Sequence, residues 1–236
     1  MGLYFYVHYG IALLNIGKEI ITLHYSASLI DKISERFASV PFMKHQYALC
    51  LRELILSNNY KSLCELGTYH GKGSTYLAAI LHEQGYGTLT TFDRTKNPSV
   101  SPCVSEMLEE FNLQSYVNTI TSPEGYIWDL AKIIQERNTK YDFCYFDAGH
   151  TFHVTGLGFV LIDLLLLPGG TIVFDDVNFL PKDCIVDPND VGDYYNLTEQ
   201  ELSTASVQMV CDVLVSRFGY QKLHSPVQNW AVYRKL

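Results

Sequence analysis

Basic runs, paired CxxC cysteines, low-complexity linkers and bilayer-length apolar stretches are all missing from this sequence. Each absence closes off a class of protein. Without a Lys/Arg stripe, and with a formal net charge of −8, no phosphate-tracking surface and no nucleic-acid partner are expected. The six cysteines (Cys50, Cys64, Cys103, Cys144, Cys184 and Cys211) form no metal-ligand pair, and four of them sit inside apolar patterns. They read as small, reduced core residues of a cytoplasmic protein, not as zinc ligands or disulfides. Charged residues make up only 18% against 47% hydrophobic, which excludes a disordered chain. What is present, over 236 residues, suffices for one sizeable α/β core with a small appended element.

The first sixteen residues are apolar and aromatic, as in Tyr4-Phe-Tyr-Val-His-Tyr9, with neither a basic leader nor a small-residue cleavage site. His8, Tyr9 and Asn15 interrupt them, and they fall short of the ~20 apolar residues of a spanning helix. A helix packed on the core or on a second subunit is expected there, with membrane-surface attachment the minor alternative. Residues 25 to 38 and 42 to 57 show helical spacing on either side of Pro41. Residues 1–60 therefore read as an N-terminal helical cap and oligomerisation segment, and the protein as a homodimer.

From residue 61 strands and helices alternate. Strands are expected at Ser62 to Leu66, Thr88 to Phe92, Val117 to Thr121, Tyr141 to Phe146 and Thr171 to Phe174. Helices are expected at Ser74 to Gln84, from Ser101-Pro102, from Ser122-Pro123-Glu124 towards Arg137, and at Phe152 to Leu167. This alternation implies a doubly wound, mostly parallel α/β sheet covered on both faces. The tail differs: a helix at Ser203 to Phe218, then strands Tyr220 to His224 and Trp230 to Arg234, too close in sequence for a parallel crossover and therefore antiparallel.

Ligands of open α/β sheets bind beyond the carboxyl ends of the strands. Glu65, Asp93, Ser122, Asp147 and Asp175 all fall at or just past such ends. The loop Glu65-Leu-Gly67-Thr68-Tyr69-His-Gly71 follows the first strand, and its glycines would let backbone approach a ligand. Its spacing is neither GxGxxG nor a P-loop. A carboxylate at Glu65 would repel a pyrophosphate but favour an ammonium, which points to a cofactor carrying an amino acid. Asp93 can accept hydrogen bonds from ribose hydroxyls. Asp147-Ala-Gly-His150 and Asp175-Asp176 add carboxylates on the same edge, suited to a hard divalent cation.

Taken together, the E-x-G-x-x-x-G loop, the acidic end of the second strand, the D-x-x-H segment and L-P-G-G-x-x-x-x-D-D resemble class I S-adenosylmethionine-dependent methyltransferases. Within these they are most similar to the metal-dependent O-methyltransferases of catechol and macrolide-sugar type, over residues 61–236. The resemblance implies a Rossmann-like catalytic domain with a seven-stranded sheet. It also implies cofactor contacts from Glu65, Gly67, Thr68, Tyr69, Gly71, Ser74, Asp93, Ser122 and Asp147. Asp147, Asp175 and Asp176 would hold Mg²⁺, and His150, beside Asp147, would be the general base. Serine usually follows the second glycine of the loop; here Gly73 stands there and Ser74 comes next. The acceptor would be a hydroxylated small molecule, with residues 177–201 as its loop. The alternatives are a same-fold enzyme using S-adenosylmethionine for hydroxylation or cyclisation, and a non-catalytic protein that kept the fold.

Overall fold

Three short strands open the chain: β1 (Phe5–His8), β2 (Ile11–Ile16) and β3 (Glu19–His24), paired antiparallel in that order. This is a computed structural model that describes residues 5–8, 11–16 and 19–24 as backbone, followed by residues 27–94, 101–184 and 197–236. The helix expected over the first sixteen residues is thus replaced by strands wherever they are described. The segment is rich in β-branched and aromatic residues, which suit a pleated surface better than a helix. Gaps of two residues between its strands permit only antiparallel neighbours.

The helical part of the N-terminal region comes next. Helix α1 (Leu29–Arg36) starts at Ser28, whose hydroxyl accepts from the Asp31 N–H while the Asp31 carboxylate accepts from the Ser28 N–H. Helix α2 (His45–Asn58) ends at Asn59 in the left-handed region. Ile30 and Ile33 of α1, and Ala48, Leu51 and Ile55 of α2, are buried in the same core that covers one face of the main sheet.

That sheet is built by β4 (Ser62–Leu66), α3 (Lys72–Gln84), β5 (Thr88–Arg94), α4 (Val104–Glu110), β6 (Val117–Ser122), α5 (Tyr126–Glu136), β7 (Tyr141–Phe146), α6 (Phe152–Leu165) and β8 (Leu166–Phe174). Helices α7 (Glu199–Leu202) and α8 (Ser206–Val213) lead to β9 (Tyr220–Leu223) and β10 (Ala231–Lys235). The strand order is β6-β5-β4-β7-β8-β10-β9. All neighbours are parallel except β10, which runs antiparallel to both β8 and β9.

Alternate strand residues face opposite sides. Leu63, Phe143 and Val173 join the core under α1, α2 and α3, whereas Cys64, Cys144 and Ile172 join the core under α5, α6 and α8. Burial on both faces is why these strands read as continuous apolar runs. Cys64, Cys144 and Cys211 are buried free thiols, as expected of core residues, whereas the free thiols Cys50 and Cys103 are only partly buried.

Element starts depart from expectation at both Ser-Pro pairs. Helix α4 begins at Val104, with Cys103 as its N-cap and the Glu106 carboxylate accepting from the Cys103 N–H, and α5 begins at Tyr126, after Gly125 at φ 79°. The Ser122 hydroxyl donates to the Gly125 carbonyl at 2.8 Å, closing a turn instead of capping a helix. The long helix expected over Ser203 to Phe218 contracts to α8 and a 3₁₀ turn at Val215–Arg217. Val207, Val210, Val213 and Val215 make this stretch a reluctant helix. No helix among the described residues is long and apolar enough to cross a membrane.

Candidate functional site

The chain passes from β4 outward to β5 and β6 on one side, then returns past β4 to β7 and β8 on the other. The crevice between β4 and β7 is thus the point where strand order reverses, the usual ligand position in such sheets. Two loops meet there. Gly67, at φ +99°, lies so close to the following loop that a Cβ would fall 2.0 Å from the Asp147 carbonyl oxygen. Glycine is required at this position to let the two loops touch. Gly71, also at φ +99°, makes room for Val104 of α4 in the same way.

Above these loops opens a cavity of about 700 Å³, the size of a small-molecule cofactor site. Glu65, Gly67, Thr68, Tyr69, Asp93, Asp147, His150, Asp175 and Asp176 all line it. Gly71, Ser74 and Ser122 do not, although Ser74 donates to Glu65 and Ser122 to the Gly125 carbonyl, both lining residues. Residues not singled out from the sequence also line it, among them Met43, Lys72, Tyr145 and Asn229. Buried Tyr145 and distant Asn229 carry no local motif, so nothing in the sequence marks them.

On the β4–β5 side the polar groups are tied together. Glu65 is buried, and its Oε2 accepts hydrogen bonds from the Ser74 hydroxyl and, at 2.6 Å, from the Thr91 hydroxyl. Thr68 meets Thr91 at 2.6 Å. Burial pushes the Glu65 carboxyl up to about 8, with Asp147 and Asp93 adding to the rise and the two hydroxyls opposing it. Asp93 accepts from the backbone N–H groups of Tyr69 and Arg94. Its carboxylate is thereby fixed at the strand end.

The β7–β8 side is arranged differently. Ligand atoms of Asp147, His150 and Asp176 all lie within 4.8 Å of one another. His150 Nε2 stands 3.5 Å from Asp176 Oδ2 and 3.8 Å from Asp147 Oδ1, too far for a good hydrogen bond. Nε2 is buried and has no hydrogen-bond partner among the described residues. Burial disfavours the charged imidazole, but the two carboxylates outweigh it and raise His150 to about 9. His150 in turn holds Asp176 below the usual carboxylate range. The imidazole also lies against the Phe179 ring, 4.7 Å between centroids.

Asp175 is set back. The Tyr145 hydroxyl donates to its Oδ2 and the Asp176 N–H to its Oδ1, at 2.7 Å. Burial, followed by the Asp147 charge, pushes Asp175 up to about 7. Asp176 occupies the left-handed region at φ 54°, and Asn229 holds its Oδ1 at 2.5 Å. A non-glycine residue in that conformation is strained unless its surroundings fix it. The donor set of two carboxylates and an orphaned buried imidazole nitrogen fits a divalent cation. The carboxylate–hydroxyl cradle at Glu65, with Asp93 on the next strand, fits a nucleoside bearing an amino acid.

The strand order and the flanking helices are those of a Rossmann-like methyltransferase fold. Residues 64–177 match the family model described as a methyltransferase domain. A Staphylococcus aureus protein assigned to the caffeoyl-CoA O-methyltransferases shares 20% identity at a TM-score of 0.65, covering 89% of this chain and 93% of that one. An O-methyltransferase from Bacillus cereus, in complex with SAH, shares 16% identity at 0.60, with coverages of 87% and 90%. The O-methyltransferase TomG from Streptomyces achromogenes, in complex with SAM, shares 17% identity at 0.56, with 87% of each chain covered. At such identities these structures speak for the fold. Among curated proteins nothing matches.

Proposed function

We propose that this enzyme transfers a methyl group from S-adenosylmethionine to a hydroxyl of a small molecule, assisted by a divalent cation. The convergence of Asp147, His150 and Asp176 on the wall that faces Glu65 and Asp93 carries the reading. In this reading a proton acceptor and a cation site lie beside a cofactor cradle. The family match and the similar structures, O-methyltransferases in complex with SAH or SAM, support the same chemistry.

In this reading Glu65 takes the cofactor ammonium, Asp93 the ribose hydroxyls, and Thr68 and Tyr69 border the methionine portion. Gly71, Ser74 and Ser122 do not line the cavity and would act by shaping the loops. Asp147 and Asp176 would hold the cation, with Asp175 bordering it. A bound divalent cation would lower the pKa of an acceptor hydroxyl. Its positive charge would also reverse the pull that now keeps His150 protonated, leaving Nε2 free to accept the hydroxyl proton. A magnesium-like ion suits an all-oxygen set, which leaves His150 as base; a softer metal would recruit His150 as a ligand. The 1–60 region would wall the cofactor side, and acceptor selection would fall to residues 177–201, of which 185–196 lie outside the described residues.

The test is mass analysis of catechol-like and sugar-like acceptors incubated with S-adenosylmethionine, with Mg²⁺ or with chelator. A one-methyl gain that disappears in chelator supports the proposal. Equal turnover in chelator removes the cation, and a product of another mass would replace methyl transfer with another reaction.

A further inference from the structure

Lys72 is a buried ammonium on the cavity wall that the proposed function leaves without a task. It opens α3 directly after Gly71, and no side chain caps that helix. Among the described residues its Nζ has one hydrogen bond, to the Val40 carbonyl at 2.9 Å. An ammonium has three donors, so two are left over. Val40 immediately precedes the segment Pro41–Lys44, which also lines the cavity. Burial lowers the pKa of Lys72, an expense that an anion placed against it would reverse.

The next residue explains what such an anion would be. Gly73 lines the cavity, and a Cβ there would stand 2.6 Å from Glu65 Oε1. Oε1 has no hydrogen bond among the described residues, because Ser74 and Thr91 both engage Oε2. A free carboxylate oxygen against Gly73 and an under-used ammonium on the preceding residue therefore belong to the wall of one cavity. A ligand end bearing both an ammonium and a carboxylate would satisfy the two together, and the uncapped N-terminus of α3 adds favourable potential for the anionic half.

We infer that Lys72 is the carboxylate-binding residue of the cofactor cavity, pairing with Glu65 to read the zwitterionic amino-acid end of the ligand. The inference rests on the S-adenosylmethionine reading and deepens it. Side chains at the residue after Gly71 then decide between nucleosides with an amino acid and nucleosides without one.

Calorimetry with three ligands tests it: S-adenosylhomocysteine, its decarboxylated analogue and methylthioadenosine. The native protein should prefer S-adenosylhomocysteine over the decarboxylated analogue by about 10- to 100-fold, the range of a charge-assisted hydrogen bond. Lys72→Met should erase that preference and leave methylthioadenosine affinity unchanged, whereas Lys72→Arg should retain part of the preference. Equal losses for all three ligands would reduce Lys72 to a tether for Val40 and overturn the inference. A native preference near one would overturn it even if no variant folded. Binding of S-adenosylhomocysteine by native protein and Lys72→Met alike would sink Lys72 but keep the cofactor, while no binding of any of the three would sink the cofactor reading itself.

Discussion

The two walls of the cavity solve the problem of buried acids in opposite ways. On the β4–β5 side Glu65 is surrounded by hydroxyls and kept neutral by burial, and Asp93 is fixed by backbone N–H groups. On the β7–β8 side Asp147 and Asp176 face His150 at 3.8 and 3.5 Å, too far for a good hydrogen bond, and Nε2 has no hydrogen-bond partner among the described residues. One wall has most of its polar groups tied to the protein before any ligand arrives, with Glu65 Oε1 and Lys72 left over. The other sets an imidazole between two carboxylates at 3.5 and 3.8 Å, charges that support one another without a short hydrogen bond between them. Under the proposed function the difference would separate a wall that binds from a wall that reacts.

The comparison breaks most visibly at the reactive wall. Asp147→Ala and Asp176→Ala should each reduce cation-dependent turnover to background while S-adenosylhomocysteine affinity, read by calorimetry, stays near native. His150→Ala should lower turnover by ~10²–10⁴-fold if His150 accepts the proton, and an unchanged rate would return it to a packing role against Phe179. Asp175→Asn should do less harm than either outer aspartate, because its oxygens are already occupied by Tyr145 and the Asp176 N–H. A loss as large as that of Asp147→Ala would put Asp175 among the ligands after all.

The binding wall should respond in the other observable. Asp93→Ala removes an acceptor for the ribose and should weaken S-adenosylhomocysteine by about 10- to 100-fold, the worth of hydrogen bonds to a charged group. Turnover at saturating cofactor should change far less. If kcat fell as steeply as affinity, the division of labour between the two walls would be wrong.

How legible all this was follows from where each signal lies. The parallel sheet could be read because its strands are buried on both faces and so stand out as apolar runs between capped helices. Glu65, Asp93, Asp147 and the Asp175-Asp176 pair were readable because strand ends gather at one edge. The first strands were misread because an aromatic, β-branched run without clear period serves either structure until its partners are known. Gly67 and Gly71 were recognised as special, yet their reason, contact with Asp147 and Val104, lies in loops far away in sequence. Asn229 and Tyr145 became visible only when the fold brought them to Asp176 and Asp175.

The smallest expected effect sharpens the comparison most, because it reads the protonation of the binding wall directly. Glu65 has its carboxyl raised from 4.5 to about 8 by burial. The folded protein thus holds a proton that the unfolded chain releases above 4.5, so the stability from this group is complete below 4.5 and is lost as pH rises through about 8. Melting temperature of the ligand-free protein should therefore decline between pH 6 and pH 8.5, all else equal, and Glu65→Gln should flatten that decline (pH values chosen to bracket the shift). Ligand binding must show the opposite slope. An ammonium requires the ionised carboxylate, so S-adenosylhomocysteine affinity should increase by up to about tenfold per pH unit below 8, with a proton released on binding. That release would appear as a buffer-dependent binding enthalpy and would vanish in Glu65→Gln. An affinity independent of pH would mean that Glu65 is already ionised, and that the two walls do not treat their buried acids in opposite ways.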